Sequence, residues 1–226
     1  MSKSDPITTV SHSLKVRPNF LSAWLRNPKQ VGAVLPSSDG LTNTMAAQVN
    51  RGPGLTIELG AGTGAVTSAL LSRGIKPDHL VLVEKDRILA KELDHHFPAL
   101  RVLEGDAARL QQLLRRSGLG LADNVVSSLP LLSMRTLTRI RVLSQVFAIL
   151  QSNGKLVQFT YSPRPPVPER LAHSLGIEGK RIERVLWNLP PANVWVYIRT
   201  LENITATRPK VNTLTLHRGD MRRTGF

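Results

Sequence analysis

The chain has 226 residues, of which 41% are apolar and 20% charged. These values are typical of a globular protein, and the length suits one large α/β domain better than two domains. No apolar run reaches the roughly 18 residues that cross a bilayer, and residues 1–10 lack a secretory signal, so we expect a cytosolic location. Because the chain has no cysteine, disulfides, thiolate nucleophiles and cysteine-ligated metals are excluded.

The net charge is +14, from 30 Lys and Arg against 16 Asp and Glu, and the excess lies mainly at the two ends of the chain. Such a charge favours a polyanionic partner, either nucleic acid or an anionic lipid surface. Binding of single-stranded nucleic acid usually needs exposed aromatic rings. The aromatic content is only 4%, and most of these residues lie in strand-like apolar runs, which weakens the nucleic-acid interpretation without excluding it.

The N-terminal segment, residues 1–51, contains a short predicted helix over residues 18–26, where Phe20 and Trp24 share one face. Cations follow this apolar face, among them Arg26 and Lys29. An apolar face flanked by positive charge is typical of an amphipathic helix that lies on an anionic membrane. Packing of the same helix over a core cleft is the alternative.

From residue 52 to about residue 200, short apolar runs alternate with amphipathic segments. Strands are predicted at 55–59, 80–84, 100–104, 124–128, 155–161, 181–189 and 193–199, and helices at 39–50, 63–73, 87–97, 110–117 and 134–150. This order predicts an α/β fold with a doubly wound, mostly parallel sheet and helices on both faces. Residues 201–226 form a basic tail whose role stays open.

A glycine-rich turn follows the first predicted strand, with Glu58 at the strand end and glycines at Gly60, Gly62 and Gly64. Glycines at such a turn let a ligand approach the backbone at the start of a helix. Their spacing differs from the dinucleotide fingerprint and, with the preceding acid, fits an adenosyl-amino-acid ligand better. The Glu58 carboxylate would face the ammonium group of that ligand, directly or through water.

Two further strands also end in acids. Glu84, followed by Lys85, ends the second strand, where a carboxylate can accept the hydroxyls of a ribose. Asp106 and Ala107 follow the third strand, where a carboxylate can meet the exocyclic amine of an adenine. Because the carboxyl ends of parallel strands share one edge, Glu58, Glu84 and Asp106 are expected to converge on one ligand.

The fourth strand leads into the turn Ser127-Ser128-Leu129-Pro130, which the proline stiffens. Methyl transfer to an amine needs little acid–base machinery, so positioning of the nitrogen dominates its rate. The backbone carbonyls of this turn and its two serine hydroxyls are candidates to hold such an amine. A loop that merely closes the sheet is the alternative.

Taken together, the motifs resemble the soluble bacterial phospholipid N-methyltransferases, which are class I S-adenosylmethionine-dependent methyltransferases with a Rossmann-like fold. The resemblance covers about residues 20–199 and rests on Phe20-Leu-Ser-Ala-Trp-Leu-Arg-Asn-Pro, Val31-Gly-Ala-Val-Leu-Pro-Ser-Ser, Glu58-Leu-Gly-Ala-Gly-Thr-Gly, Gly105-Asp-Ala, Val125-Val-Ser-Ser-Leu-Pro-Leu-Leu, Gln158-Phe-Thr-Tyr and Pro190-Pro-Ala-Asn-Val-Trp. It implies S-adenosylmethionine as cofactor, S-adenosylhomocysteine as product, and successive methylation of phosphatidylethanolamine towards phosphatidylcholine. It also implies a monomer bound peripherally and reversibly to an anionic inner membrane.

Two residues at and just beyond the end of the fifth predicted strand are weaker candidates for the site. The ring of Tyr161 could face an increasingly methylated ammonium, and Arg164 could hold a lipid phosphate. Ordinary edge packing for the tyrosine and a solvated surface position for the arginine are the alternatives. The histidines show no metal-binding spacing, so no metal site is predicted.

The ribosomal RNA adenine dimethyltransferases resemble this chain as well, through the glycine turn and the Leu-Pro turn. Those enzymes place Asn before Leu-Pro and an aromatic residue after it, whereas this chain has Ser128 and Leu131. A flipped base would lose its stacking ring, worth on the order of 1–3 kcal/mol. RNA is therefore the less favoured acceptor, and an ornithine lipid is a further alternative to phosphatidylethanolamine.

Overall fold

The computed structural model describes residues 39–186, 188 and 190–200. The predicted membrane helix, with Phe20, Trp24, Arg26 and Lys29, lies outside these residues, as does the basic tail 201–226. The strands of the described part are β1 Leu55–Leu59, β2 Leu80–Glu84, β3 Arg101–Glu104, β4 Ala122–Ser127, β5 Leu150–Thr160, β6 Ile177–Val185 and β7 Ala192–Arg199. Its α-helices are α1 Asp39–Ala47, α2 Ala65–Ser72, α3 Arg87–His96, α4 Leu110–Arg116, α5 Thr136–Ile149 and α6 Glu169–Ser174.

The seven strands form one sheet in the order β3-β2-β1-β4-β5-β7-β6. The pairs from β3 through to β5 are parallel, whereas β7 runs antiparallel to both β5 and β6. The predicted doubly wound, mostly parallel sheet is confirmed. Because β7 runs in reverse, its start lies at the same edge as the ends of the other six strands, which we call the carboxyl edge.

Helices cover both faces of this sheet, as predicted. One face packs α1, α2 and α3 against the strands through buried residues such as Leu41, Leu70 and Leu93. The opposite face packs α4 and α5 through residues such as Leu110 and Leu143. Continuous apolar strands such as β2, every residue of which is buried, are explained by this cover on two sides. None of the helices in the described ranges is long and apolar enough to cross a membrane.

The structure differs from the sequence prediction in three elements. Helix α6 was not predicted, because six residues are too few to show a helical period. Strand β6 begins at Ile177, four residues before the predicted start, and only its first and last residues are buried. Strand β5 begins at Leu150 and includes three exposed residues before the predicted start. In both strands, exposed polar residues hide the apolar alternation on which the prediction depends.

Helix α1 belongs to the stretch that the sequence analysis assigned to the N-terminal segment. Its residues Leu41 and Met45 are fully buried against the sheet. Just beyond the helix, the backbone N–H of Asn50 donates to Oδ1 of Asn124 in β4, at 3.3 Å. The described part of this segment, from residue 39, therefore packs against the sheet.

Candidate active site

The glycine turn between β1 and α2 adopts backbone angles that only glycine tolerates well. Gly60, Gly62 and Gly64 have φ values of 69°, 57° and 83°. A Cβ atom at Gly64 would lie 2.5 Å from the ring of Phe97, so bulk is also excluded there. A Cβ at Gly62 would meet nothing closer than the Gly60 carbonyl oxygen at 3.9 Å. The turn is thus closely packed at its end and open at Gly62, where a ligand can approach the backbone.

Glu58 lies fully buried at the end of β1, next to this turn. Its Oε2 accepts a 2.7 Å hydrogen bond from Thr67 Oγ1, whereas its Oε1 has no partner. Burial raises the pKa of Glu58 to about 8; the Thr67 hydrogen bond opposes this rise and the charge of Glu84 adds to it. A buried carboxyl with one free oxygen suits a cationic ligand group, whose charge would favour the ionised form.

Glu84, at the end of β2, holds the loops of the site together. Its Oε2 accepts from the backbone N–H of Gly62 at 3.0 Å, and its Oε1 accepts from Lys85 and Asp86 at 2.8 and 2.9 Å. A carboxylate offers about four acceptor positions, so most are already in use. The predicted contact with both ribose hydroxyls would therefore share this carboxylate with the backbone of the turn.

Asp106 follows β3 and is paired with Lys85. Its Oδ2 accepts from Lys85 Nζ at 2.8 Å, and its Oδ1 accepts from the N–H of Ala108, which caps the short turn that begins at Ala107. Partial burial alone would raise the pKa of Asp106, but these hydrogen bonds and the charges of Lys85 and Arg109 outweigh it and lower the pKa. The ionised carboxylate stays partly exposed and can accept from an amine.

The turn after β4 contacts the glycine turn directly. The N–H of Ser128 donates to the carbonyl of Leu59 at 3.0 Å, and the Leu129 side chain lies 2.9 Å from where a Cβ of Gly60 would be. The hydroxyl of Ser127 is buried and accepts from the N–H of Leu129 at 3.3 Å, which stabilises the turn. Two predicted regions, the glycine turn and Ser127–Pro130, are thus adjacent at the carboxyl edge.

Gln158, in β5, supports the β4 turn and was not predicted as a site residue. The amide is fully buried, and its Nε2 donates to the carbonyls of Leu129 and Phe159, both at 2.9 Å. Its Oε1 has no partner. Gln158 was noted only within a longer motif, because the sequence does not show whether a polar residue in a strand is buried.

Tyr161 lies beyond the end of β5, further along the carboxyl edge. Its ring packs edge to face on Phe159, with centroids 5.3 Å apart, and lines a pocket of about 170 Å³ that also includes Arg181, Arg184 and Asn193. Arg164 is exposed and is not part of this lining; its backbone N–H donates to Ser162 Oγ. Within the described residues, no group of three His, Asp or Glu side chains could hold a metal ion.

Comparisons with known proteins bear on this site. No family model matches the chain. The ornithine lipid N-methyltransferase of Singulisphaera acidiphila is 33% identical over 152 residues, covering 64% of this chain and 77% of that protein. The ribosomal RNA small subunit methyltransferase A of a Synechococcus species is 35% identical over 100 residues, covering 42% of this chain and 32% of that protein. The chain thus matches only about a third of the length of the RNA methyltransferase.

Solved structures share the fold at low sequence identity. The TehB-like S-adenosylmethionine-dependent methyltransferase from Corynebacterium glutamicum superposes with a TM-score of 0.53 at 19% identity, covering 80% of this chain and 97% of that one. The glycopeptide N-methyltransferase MtfA, complexed with S-adenosylmethionine, gives a TM-score of 0.55 at 12% identity, covering 73% and 95%. These matches show the fold.

The sheet order, the open glycine turn and the three acids at the carboxyl edge define a class I methyltransferase that uses S-adenosylmethionine, as the sequence predicted. The unpaired buried oxygen of Glu58 and the open space at Gly62 fit this cofactor. The chain belongs to the family of S-adenosylmethionine-dependent N-methyltransferases that includes the Singulisphaera enzyme.

Proposed function

We propose that this enzyme methylates the amine of a membrane amino-lipid, with phosphatidylethanolamine as acceptor and successive methylation towards phosphatidylcholine. The observation that carries the proposal is the unpaired Oε1 of Gln158 in β5, the strand that pairs with β4 and so lies next to the β4 turn. Buried polar atoms are normally hydrogen-bonded, and an acceptor amine supplies the N–H donor that this oxygen lacks. The fixed Nε2 bonds of Gln158 hold that oxygen in place for the amine.

The chemistry asks little of the protein beyond positioning. When bound, S-adenosylmethionine supplies an activated methyl group and leaves as S-adenosylhomocysteine. The acceptor ammonium gives up one proton to water, and the freed lone pair forms the new bond from nitrogen to the methyl carbon while the carbon–sulfur electrons remain on sulfur. Gln158 and the β4 turn orient the nitrogen, and the contact of Leu129 with Gly60 keeps the acceptor beside the cofactor turn.

The residues of the β4 turn favour a lipid amine over an RNA base. Aliphatic Leu131 follows Leu129-Pro130 at the position where the ribosomal RNA adenine dimethyltransferases place the aromatic residue that stacks on a flipped adenine. A lipid amine has no flat face, so it needs no such ring. Ornithine lipid is a second candidate acceptor, because the Singulisphaera relative, matched over more residues than the RNA methyltransferase, is an ornithine lipid N-methyltransferase.

We further propose that the enzyme works as a monomer bound reversibly to the cytoplasmic membrane surface. The net charge of +14 supports attraction to anionic lipids, and the sequence around Phe20 and Trp24 supplies apolar side chains for the interface. Replacing Phe20 and Trp24 by Ser should therefore release the protein from anionic liposomes in a sedimentation assay. Leu121→Ser with Leu137→Ser, two leucines exposed elsewhere on the surface, is the matched control. Undiminished sedimentation of the first variant would contradict the membrane assignment.

The deciding experiment incubates the purified protein with methyl-labelled S-adenosylmethionine and liposomes of phosphatidylethanolamine and an anionic lipid, followed by lipid chromatography. Parallel reactions contain ornithine lipid or ribosomal RNA in place of phosphatidylethanolamine. Label in methylated ethanolamine lipids is the expected result, and the product ladder gives the number of methyl transfers. Label in ornithine lipid alone selects the second acceptor, and label in RNA alone overturns the lipid proposal.

A further inference from the structure

The pocket lined by Tyr161 lies at the carboxyl edge, on the far side of β5 from the β4 turn. The end of β5, the start of β7 and the end of β6 meet there, and the lining includes Tyr161, Arg181, Arg184 and Asn193. Its volume of about 170 Å³ is below the roughly 300–1,000 Å³ of sites for drug-sized ligands. The pocket suits a small polar group rather than a nucleoside or an acyl chain.

A β-bulge in β6 brings the two arginines together. Arg181 pairs with Trp195 and Arg184 pairs with Asn193, with a register shift at Ile182 between them. Because Asn193 and Trp195 are two residues apart in β7, they lie on one face of the sheet. The extra residue therefore places Arg181 and Arg184 on that same face, whereas a regular strand would put residues three apart on opposite faces.

These two positive charges have no acidic partner within the described part of the chain. Glu183, the nearest acid in sequence, instead accepts from Thr44 Oγ1 of α1, which packs on the opposite face of the sheet. A guanidinium group binds a carboxylate or phosphate through two parallel hydrogen bonds, and two such groups line this pocket. The arrangement of Arg181 and Arg184 therefore suits an oxyanion.

Asn193 connects this pocket with the amine site. It is 4% exposed; its Nδ2 donates to the Ser162 carbonyl at 3.0 Å, and its Oδ1 has no partner. In the β5–β7 register Asn193 pairs with Thr160, and Trp195 pairs with Gln158. Asn193 and Gln158 are thus diagonal neighbours on one face, and such neighbours lie roughly 7–8 Å apart across a strand pair. The unpaired amide oxygen of Asn193 thus belongs to a residue that lines the pocket with the arginines, and that of Gln158 belongs to its neighbour in β5. Together these residues offer acceptors for an ammonium and donors for an oxyanion.

The walls of the pocket are stiff. Pro163 and the Pro190-Pro191 pair line it, and Pro163 begins a segment, residues 163–168, in which four of six residues are proline. The two remaining backbone donors of this segment are bonded to hydroxyls: Arg164 N–H to Ser162 Oγ at 3.0 Å, and Val167 N–H to the buried hydroxyl of Tyr197 at 3.2 Å. A ligand would meet a preformed cavity, which lowers the cost of ordering on binding.

We infer that this pocket binds the oxyanion of the acceptor headgroup through Arg181 and Arg184, while the amide oxygens of Asn193 and Gln158 receive the amine. The oxyanion is the phosphate of phosphatidylethanolamine or the carboxylate of an ornithine lipid, since each lies a few bonds from its amine. The inference rests on the proposed function for its acceptor. It assigns headgroup recognition to β6 and β7 rather than to Arg164.

The test compares Arg181→Gln/Arg184→Gln with a control of equal charge change, Arg115→Gln/Arg116→Gln, whose exposed arginines end α4 at the opposite edge of the sheet. Methylation of each lipid is measured in neutral detergent micelles, so that surface charge does not attract the protein. Loss of charged hydrogen bonds predicts a roughly 10- to 100-fold fall in kcat/KM for the pocket variant. Its affinity for S-adenosylmethionine should stay unchanged, and the control should retain wild-type kcat/KM.

A second measurement separates failure of this inference from failure of the proposed function. The cofactor-saturated protein is titrated with O-phosphoethanolamine, ornithine and inorganic phosphate, each alone, by calorimetry. We expect binding of at least one zwitterion that is lost in the pocket variant and kept in the control. If the wild type methylates neither lipid but shows this arginine-dependent binding, the pocket assignment stands and the lipid proposal fails.

Three results would overturn the inference itself. The first is a pocket variant that methylates lipid in micelles as fast as the wild type, which would make the arginines mere edge-strand charges. The second is inorganic phosphate binding as tightly as the zwitterions, which would indicate a general anion site. The third is a wild-type protein that methylates neither lipid and shows no arginine-dependent binding of any titrant.

Discussion

The two halves of the carboxyl edge satisfy their polar groups to different degrees. In the cofactor half, formed by β1 to β3, Glu84 accepts three backbone N–H groups and Asp106 is paired with Lys85. In the acceptor half, formed by β4 to β7, the buried atoms Gln158 Oε1, Asn193 Oδ1 and Trp195 Nε1 have no partners. The exception in the cofactor half is Oε1 of Glu58.

This difference suggests which parts of the site are complete before ligands arrive. The cofactor half is held by its own hydrogen bonds and leaves one buried carboxyl oxygen for the ligand's cation. The acceptor half keeps several unpaired groups, each of which costs free energy until a ligand satisfies it. Specificity for the acceptor would then come from matching these groups, because an acceptor that lacks a partner for them leaves them buried and unpaired.

The largest expected effect comes from the exception, Glu58. Glu58→Gln keeps the size of the side chain but removes its negative charge, so affinity for S-adenosylmethionine should fall by about 2–3 kcal/mol, with activity lost in parallel. Glu58→Ala should abolish binding. Calorimetric titration checks both, with Asp94→Asn, an exposed acid on α3, as control. Unchanged affinity in Glu58→Gln would remove Glu58 from the cofactor site.

The raised pKa of Glu58 predicts a pH-dependent stability. Folded Glu58 holds its proton up to about pH 8, whereas the unfolded chain releases it near pH 4.5, so the Glu58 contribution to stability is full below pH 4.5 and is lost as the pH rises towards 8. The loss is on the order of a few kcal/mol. Urea titrations of the cofactor-free protein from pH 5 to 8 measure it, and Glu58→Gln should flatten that decline. An equal decline in both proteins would contradict the assignment.

Gln158 tests the acceptor half. Gln158→Leu should lower kcat/KM for the lipid, by an amount that corresponds to a loss of about 1.5–2 kcal/mol of transition-state stabilisation. Its affinity for S-adenosylmethionine should stay unchanged. Gln145→Leu is the matched control, because Gln145 of α5 also makes two amide hydrogen bonds, both to Gln111 of α4 and neither to the β4 turn. Both variants should lose similar stability in urea, but only Gln158→Leu should lose activity. Equal activities would assign Gln158 a purely structural role.

The smallest effect is expected at Asp106. Asp106→Asn breaks an exposed ion pair with Lys85, and such pairs contribute about 0–1 kcal/mol to stability. The variant should weaken S-adenosylmethionine binding by about 1 kcal/mol through the lost carboxylate acceptor for the adenine amine. Lys85→Met, which breaks the same ion pair but keeps the carboxylate, is the comparison. If both variants bind the cofactor as the wild type does, Asp106 does not contact the adenine.

The cofactor half was largely predictable from the sequence, for physical reasons. Strands β1 and β2 are buried on both faces and therefore consist mostly of apolar residues, and the positive φ values of Gly60, Gly62 and Gly64 permit few residues other than glycine. The meeting of the acids was predictable as well, because the carboxyl ends of parallel strands lie at one shared edge. Residue type and position together specify this part of the site.

The acceptor half was less predictable. The bulge at Ile182 reverses the face of every residue after it, and nothing in the local sequence marks it, so the pairing of Arg181 with Arg184 was not foreseen. Whether Oε1 of Gln158 has a hydrogen-bond partner depends on three strands, so the sequence of one strand does not predict it. The membrane helix with Phe20 and Trp24 stays a prediction, since it lies outside the described residues.

The proline segment 163–168 has a consequence for how motion in this enzyme can be observed. Hydrogen exchange reports on amide protons, and only Arg164 and Val167 carry one in these six residues. Opening of this wall of the pocket would therefore change exchange at no more than these two amides, both of which are bonded to hydroxyls. Carbon relaxation of labelled proline rings would instead record whether the wall moves when a headgroup enters, on the timescale of turnover.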